Sequence, residues 1–185
     1  MIFGHFGLAA GVRGGWPRTA LVWLLPASIA PDLLDVILAA AGICNPYGLY
    51  SHTLPAVALI AALVGGAAYL TVSGKADATA ASTAMACILV ILLHPTLDFL
   101  TGHKLFWPGG ELRGLRLYDR PMLDFLLESA VVVVGWLLLR RTPAAPRWAA
   151  APAALCTVLL LQGAADLSAG SFKPSACAVE AVPAL

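Results

Sequence analysis

Five stretches of this chain, at about residues 19–43, 53–73, 80–100, 122–139 and 148–168, have roughly the 20-residue apolar length a helix needs to cross a bilayer. Connectors containing Gly, Pro or charged residues separate them. A soluble chain of this kind would expose large apolar patches, because 60% of its 185 residues are hydrophobic and only 11% are charged. Soluble domains average roughly 45–50% and about 25%. The expected fold class is therefore all-α: a polytopic membrane helical bundle with four to five transmembrane helices. The fifth stretch is Ala-rich and interrupted by Pro152 and Asp166, so it is the least regular. Residues 1–170 read as a single transmembrane domain, and 171–185, "SFKPSACAVEAVPAL", as a loose tail.

The net charge is +1 and there is no basic run, so no nucleic-acid partner is expected. Cys44, Cys87, Cys156 and Cys177 form no CxxC pair or zinc-ribbon spacing and do not define a compartment. The segment "RTALVWLLPASIAPDLLD" has the charged flank, apolar run and small-x-small site of a signal peptide. Pro31 follows that site and the apolar pattern continues to Ile43, so the segment is expected to stay as a span. An N-terminus inside puts Arg13, Arg18, Lys75, Arg140, Arg141 and Arg147 on one face. Lys104, Arg113, Arg116, Arg120 and Lys173 fall on the other, which decides orientation only if the four from Lys104 to Arg120 have a functional reason to be there.

Polar residues stand where lipid is expected. "PDLLD" puts Asp32 and Asp35 in the first span. A charged Asp at the centre of a membrane helix costs about 2.5–3.5 kcal/mol, so a compensating cation, metal or watered cavity is expected. Residues i and i+3 share a helix face, so the two carboxylates can aim at one point. Pro26 and Pro31 are expected to kink this helix and free nearby carbonyls. His52 begins the second span, and His94 and Asp98, at i and i+4, close the third. With alternating span directions, all five residues fall on one side. His5 precedes the first span, so it starts on the other side and joins the cluster only if residues 2–12 form a short helix dipping into the bundle.

Imidazole and carboxylate together suit Zn²⁺, Mn²⁺ or Fe²⁺ better than Ca²⁺ or Mg²⁺. Six candidate ligands, His5, Asp32, Asp35, His52, His94 and Asp98, suffice for two ions or for one ion with supporting residues. A metal with an open position makes hydroxide available near neutral pH. Each residue also has an ordinary role open to it: an Asp in a proton relay, His52 as a helix start, His94 bonded to a carbonyl. The loop from Lys104 to Arg120 holds Lys104, Arg113, Arg116 and Arg120 beside Trp107. It suits either an anionic substrate or lipid headgroups, and the two merge if the substrate is a lipid. Asp124 begins the fourth span on the cluster's side, with Glu128 one turn deeper; Asp166 and Glu180 have no evident partner.

"GHFGLAAG", "PDLLD", "SHTLP" and "HPTLDFLTGHKLFWP", in that order, resemble the YdjM-type membrane-bound metal-dependent hydrolases. The resemblance spans about residues 1–128. It implies a helical bacterial inner-membrane protein with a metal site at His5, Asp32, Asp35, His52, His94 and Asp98. His103 departs from the family's commoner pattern, as does the spacing of basic residues after Trp107. The expectation is a hydrolase of an ester or phosphoester, plausibly in a lipid, using a divalent metal ion, with zinc the first choice. His103 is the candidate proton donor, and Lys104 and Arg113 steady negative charge. The alternatives are an ion or proton transport protein built on the same cluster, and a metal-stabilised membrane scaffold.

Overall fold

The first apolar stretch is not one rod. In the computed structural model, which describes residues 3–72, 77–143 and 145–168, it divides into α2 (Leu21–Ser28) and α3 (Ala30–Ala40), bent by 58°. Ile29, at φ −111° and ψ 13°, is the break. Pro31 stands in the first turn of α3, where its missing N–H would have had no partner anyway. The expected kink is thus a full break.

Before it lies α1 (Phe3–Gly15); after it come α4 (Leu54–Val72), α5 (Asp77–Thr101), α6 (Pro121–Arg140), α7 (Arg147–Ala150) and α8 (Pro152–Ser168). Three helical segments, Leu54–Val72, Ala78–Thr101 and Pro121–Arg140, are long and apolar enough to cross a membrane, and the bent α2–α3 pair makes a fourth. The fifth stretch gives only a shorter apolar helix, α8. A small antiparallel hairpin, β1 (Lys104–Leu105) with β2 (Leu112–Arg113), interrupts the helical pattern between α5 and α6. The tail 171–185, with Lys173, Cys177 and Glu180, lies outside the described residues, as does Lys75.

The bundle turns apolar side chains outward. Leu59, Leu63 and Leu70 of α4 are 61–74% exposed. Its interior is also apolar, with Leu24, Val57, Ala61, Ala86, Cys87, Val90 and Ile91 buried. A stable helix that is apolar inside and out is what lipid surroundings permit.

Helix α1 runs parallel to α6, with Gly7 against Val132, Gly11 against Gly135 and Gly14 against Leu138. A Cβ on Gly7 would sit 2.6 Å from the Val132 Cα, and one on Gly14 would sit 2.6 Å from the Leu138 carbonyl carbon. These contacts are with backbone or its immediate neighbours, so glycine is what permits the approach. Glu128 Oε2 accepts from the Gly4 N–H at 3.1 Å and anchors the first turn. A carboxylate at a helix N-terminus is also favoured by the dipole. The start of α1 therefore lies on the same side as the starts of α4 and α6. The simple count of spans placed His5 on the other side; the short helix dipping into the bundle brings it back.

Candidate metal centre

Four elements bring the ionisable groups together. Asp32 projects from α3, His52 from the turn before α4, His94 and Asp98 from the last two turns of α5, and His5 from α1. His5, His52, His94 and Asp98 are buried, and the Asp32 side chain is 22% exposed.

The tautomers follow from the partners. His94 Nδ1 is 2.9 Å from the Ser28 carbonyl, which can only accept. Nδ1 therefore carries the proton, and in the neutral ring Nε2 is a bare lone pair. That carbonyl is available because α2 breaks there. His52 Nδ1 meets Ser51 Oγ at 2.7 Å, and the Ser51 hydroxyl in turn donates to Asp35 Oδ1 in a short contact. Asn45 Nδ2 donates to the same Asp35 oxygen at 2.6 Å and to Ser51 Oγ at 2.9 Å. Asp35 Oδ2 lies 3.5 Å from His52 Nδ1 and 3.8 Å from Lys104 Nζ. So Asp35, one of the six candidate ligands, stands behind His52 and orients it. Gly48, at φ +78°, supplies the tight turn; a Cβ there would be 2.8 Å from His52 Nδ1.

The two Nε2 atoms face each other at 3.3 Å. His52 Nε2 is 3.3 Å from Asp32 Oδ1 and 3.1 Å from Asp98 Oδ2. His94 Nε2 is 3.3 Å from Asp98 Oδ2 and 3.9 Å from Asp32 Oδ1. Bonds of about 2.0–2.1 Å in a tetrahedron place ligand atoms about 3.3–3.4 Å apart. Four of these five separations are thus near the length a zinc-sized ion requires, and the fifth, from His94 to Asp32, is longer. Asp98 Oδ2 has two ring nitrogens close by yet no contact of hydrogen-bond geometry. Converging lone pairs repel unless a proton on His52 Nε2 or a metal cation stands among them, and the donor set fits a divalent ion. Burial opposes charge on His52, but the Asp32 and Asp98 carboxylates outweigh it and raise its pKa.

His5 stacks on His94 with ring centroids 3.8 Å apart. Its Nδ1 is 4.0 Å from Asp32 Oδ2 and its Nε2 is 3.9 Å from Asp98 Oδ1. It thus faces the outer oxygens of both carboxylates. His5, His94 and Asp98 form one grouping of ligand geometry; Asp32, His52 and His94 form the other.

The three residues expected to act on substrate are more scattered. Lys104 approaches Asp35 from β1. Arg113 pairs with Glu111 at 3.9 Å, and its side chain is 69% exposed. His103 is half-buried after α5, and among the described residues no hydrogen bond or ion pair joins it to the cluster. Tyr118 escaped the sequence reading. Burial of its phenol, together with the charges of Asp98, Glu128, Asp32 and Asp124, raises its pKa and keeps it protonated. The residue is 43% exposed overall, so one part of it meets solvent while its hydroxyl feels four carboxylates. Ser51 and Asn45 were also missed, although Ser51 stands beside His52 in "SHTLP".

Further along α5, away from the cluster, the buried residues are Ile91, Val90, Cys87 and Ala86, then Thr83, whose hydroxyl accepts from the Ala20 N–H, and Ala80. The cluster is a polar cap over an apolar core. No protein-family model, curated protein or solved structure matches this chain.

Proposed function

We propose that this chain is a membrane-embedded, metal-dependent hydrolase of an ester or phosphoester, plausibly one carried by a lipid. The observation that carries the reading is the convergence of Asp32 Oδ1 and Asp98 Oδ2 on the facing His52 and His94 Nε2 atoms, at 3.1–3.9 Å. Both rings are locked from behind, His94 by the Ser28 carbonyl and His52 by Ser51 and Asp35. Such support from behind is what metal-ligating histidines characteristically have. Two nitrogens and two carboxylate oxygens favour zinc, with manganese or iron as alternatives. A divalent ion held there supplies Lewis acidity and a nucleophilic water near neutral pH.

The chain's own residues supply the rest. His5 faces the outer oxygens of Asp32 and Asp98 and completes the donor set or holds those carboxylates. Lys104 and Arg113 lie on the hairpin and steady negative charge on a substrate's phosphate or carbonyl. His103 and the protonated Tyr118 are the two groups able to give a proton to a leaving oxygen. A bilayer setting, in a bacterial inner membrane as the resemblance to YdjM-type hydrolases implies, matches the outward-facing leucines and the interfacial Trp107, which is 60% exposed.

An ion or proton transport protein is the rival reading. Transport needs polar groups continuing from the cluster to the opposite face, and along α5 the buried residues Ala86–Ile91 separate it from the next buried polar group, Thr83. That apolar stretch favours hydrolysis. Metal analysis and esterase and phosphodiesterase assays on detergent-purified protein test the proposal. The native chain should carry about one equivalent of zinc or more, and His94→Ala should lose that metal and at least about 100-fold of any hydrolytic activity. Full metal content in His94→Ala sinks the ligand assignment. A metal-loaded native chain with no hydrolysis across lipid and soluble esters sinks the enzyme.

A further inference from the structure

A second ionisable cluster lies outside the centre described above. Asp124 and Glu128, one turn apart on α6, meet Asp166 of α8, and each offers an oxygen within 4.8 Å of the others. Asp124 and Glu128 are both 2% exposed. Among the described residues no Lys, Arg or His side chain forms an ion pair with any of the three; the chain's N-terminal charge acts on all three and can offset only one of them. Asp124 Oδ1 and Asp166 Oδ2 are buried without a hydrogen-bond partner.

A neutral side chain points to the same place. Gln162 stands one turn before Asp166 on α8 and is fully buried. Its Nε2 donates to the Phe125 carbonyl, beside Asp124, at 3.3 Å, and the amide also contacts the Asp166 carboxylate. Its oxygen, Oε1, has no hydrogen-bond donor. A buried amide oxygen left unsatisfied, on a side chain that itself meets the Asp166 carboxylate, is costly unless a donor or a cation takes it.

We propose that Asp124, Glu128, Asp166 and Gln162 form a second cation site, selective for a hard ion of the Ca²⁺ or Mn²⁺ kind. The donor set is all oxygen, in contrast to the imidazole-rich centre, and oxygen shells select such ions. Four protein oxygens leave positions for water, which Ca²⁺ sites commonly keep. Glu128 also holds the Gly4 N–H, next to His5. The second ion therefore tethers α1 where its histidine meets the first centre. This inference does not rest on the hydrolase reading.

Terbium luminescence on the full-length protein in detergent, with zinc already supplied, tests it. Tb³⁺ is a hard, oxygen-seeking probe. One saturable Tb³⁺ site per chain is expected, displaced by Ca²⁺, with affinity reduced at least about tenfold in Asp166→Asn and in Gln162→Leu, since each removes a donor. His94→Ala should leave Tb³⁺ binding within about twofold while losing zinc, which separates failure of the first centre from failure of the second. Absence of a saturable site in the native chain, or affinity unchanged in Asp166→Asn, overturns the proposal. Should Asp166→Asn fail to purify as a single species, the native titration and Gln162→Leu decide alone.

Discussion

A broken helix supplies the hydrogen bond that aims His94. Pro31 ends the regular ladder of the first span, the Ser28 carbonyl turns to His94 Nδ1, and Nε2 is left as a donor pair. On the other ring Asp35 does the equivalent through Ser51. Asp35→Asn should therefore keep the fold and still weaken zinc binding by about 10–100-fold, as loss of such supporting partners does elsewhere. Competition against a chromogenic chelator measures it; an unchanged affinity would separate Asp35 from the centre. A proton on His52 competes with the ion. Because its pKa is raised, that competition sets in at higher pH than for a free histidine, whose pKa is about 6.5. Zinc affinity should be level above the His52 pKa and fall about tenfold per pH unit below it, for one competing proton. Affinity independent of pH down to about pH 5 would remove His52 from the ligand set.

Between elements, the α1–α6 seam decides whether His5 belongs to the centre. Gly7, Gly11 and Gly14 repeat along α1 at helical spacing and face α6. That spacing was present in "GHFGLAAGVRGG" as a small-residue stripe, but such a stripe does not name its partner. Gly7→Val places a branched side chain against the Val132 backbone, which cannot yield as a flexible side chain would. It should cost about 1–3 kcal/mol or more and lower the thermal midpoint in detergent. Gly66→Ala is the control: nothing lies within 4 Å of a Cβ there, mid-helix in α4. Removing glycine from a helix interior should stabilise by up to about 1 kcal/mol. Equal midpoints for the two variants would contradict the close seam.

For the whole molecule, the alternating directions of α2–α3, α4, α5 and α6 bring the cluster and the hairpin to one face. Arg140 and Arg141 stand at the far end of α6. In an otherwise cysteine-free chain in sealed vesicles, cysteines at Arg113 and Arg141 should react with an impermeant maleimide from opposite sides. Labelling of both from one side would mean that the bundle does not cross the bilayer as proposed.

What the sequence determined by itself is the helical, apolar character of the chain and the gathering of Asp32, His52, His94 and Asp98. Apolar run length and the i, i+4 spacing of His94 and Asp98 are local, and alternation of direction carries them to one side. Three things were decided only in three dimensions. The α1 helix turned back beside α6, so His5 reached the cluster from the same side. Asp35 stood behind His52, because the turn through Asn45, Gly48 and Ser51 placed that ring between it and the centre. Asp166, partnerless in the sequence, met Asp124 and Glu128 across the α6–α8 seam. The first and the third depend on which helix packs against which. That choice is set by the fit of small and large side chains more than 30 positions apart for Asp166 and more than 120 for Gly4, and no single window of sequence contains both sides of the fit.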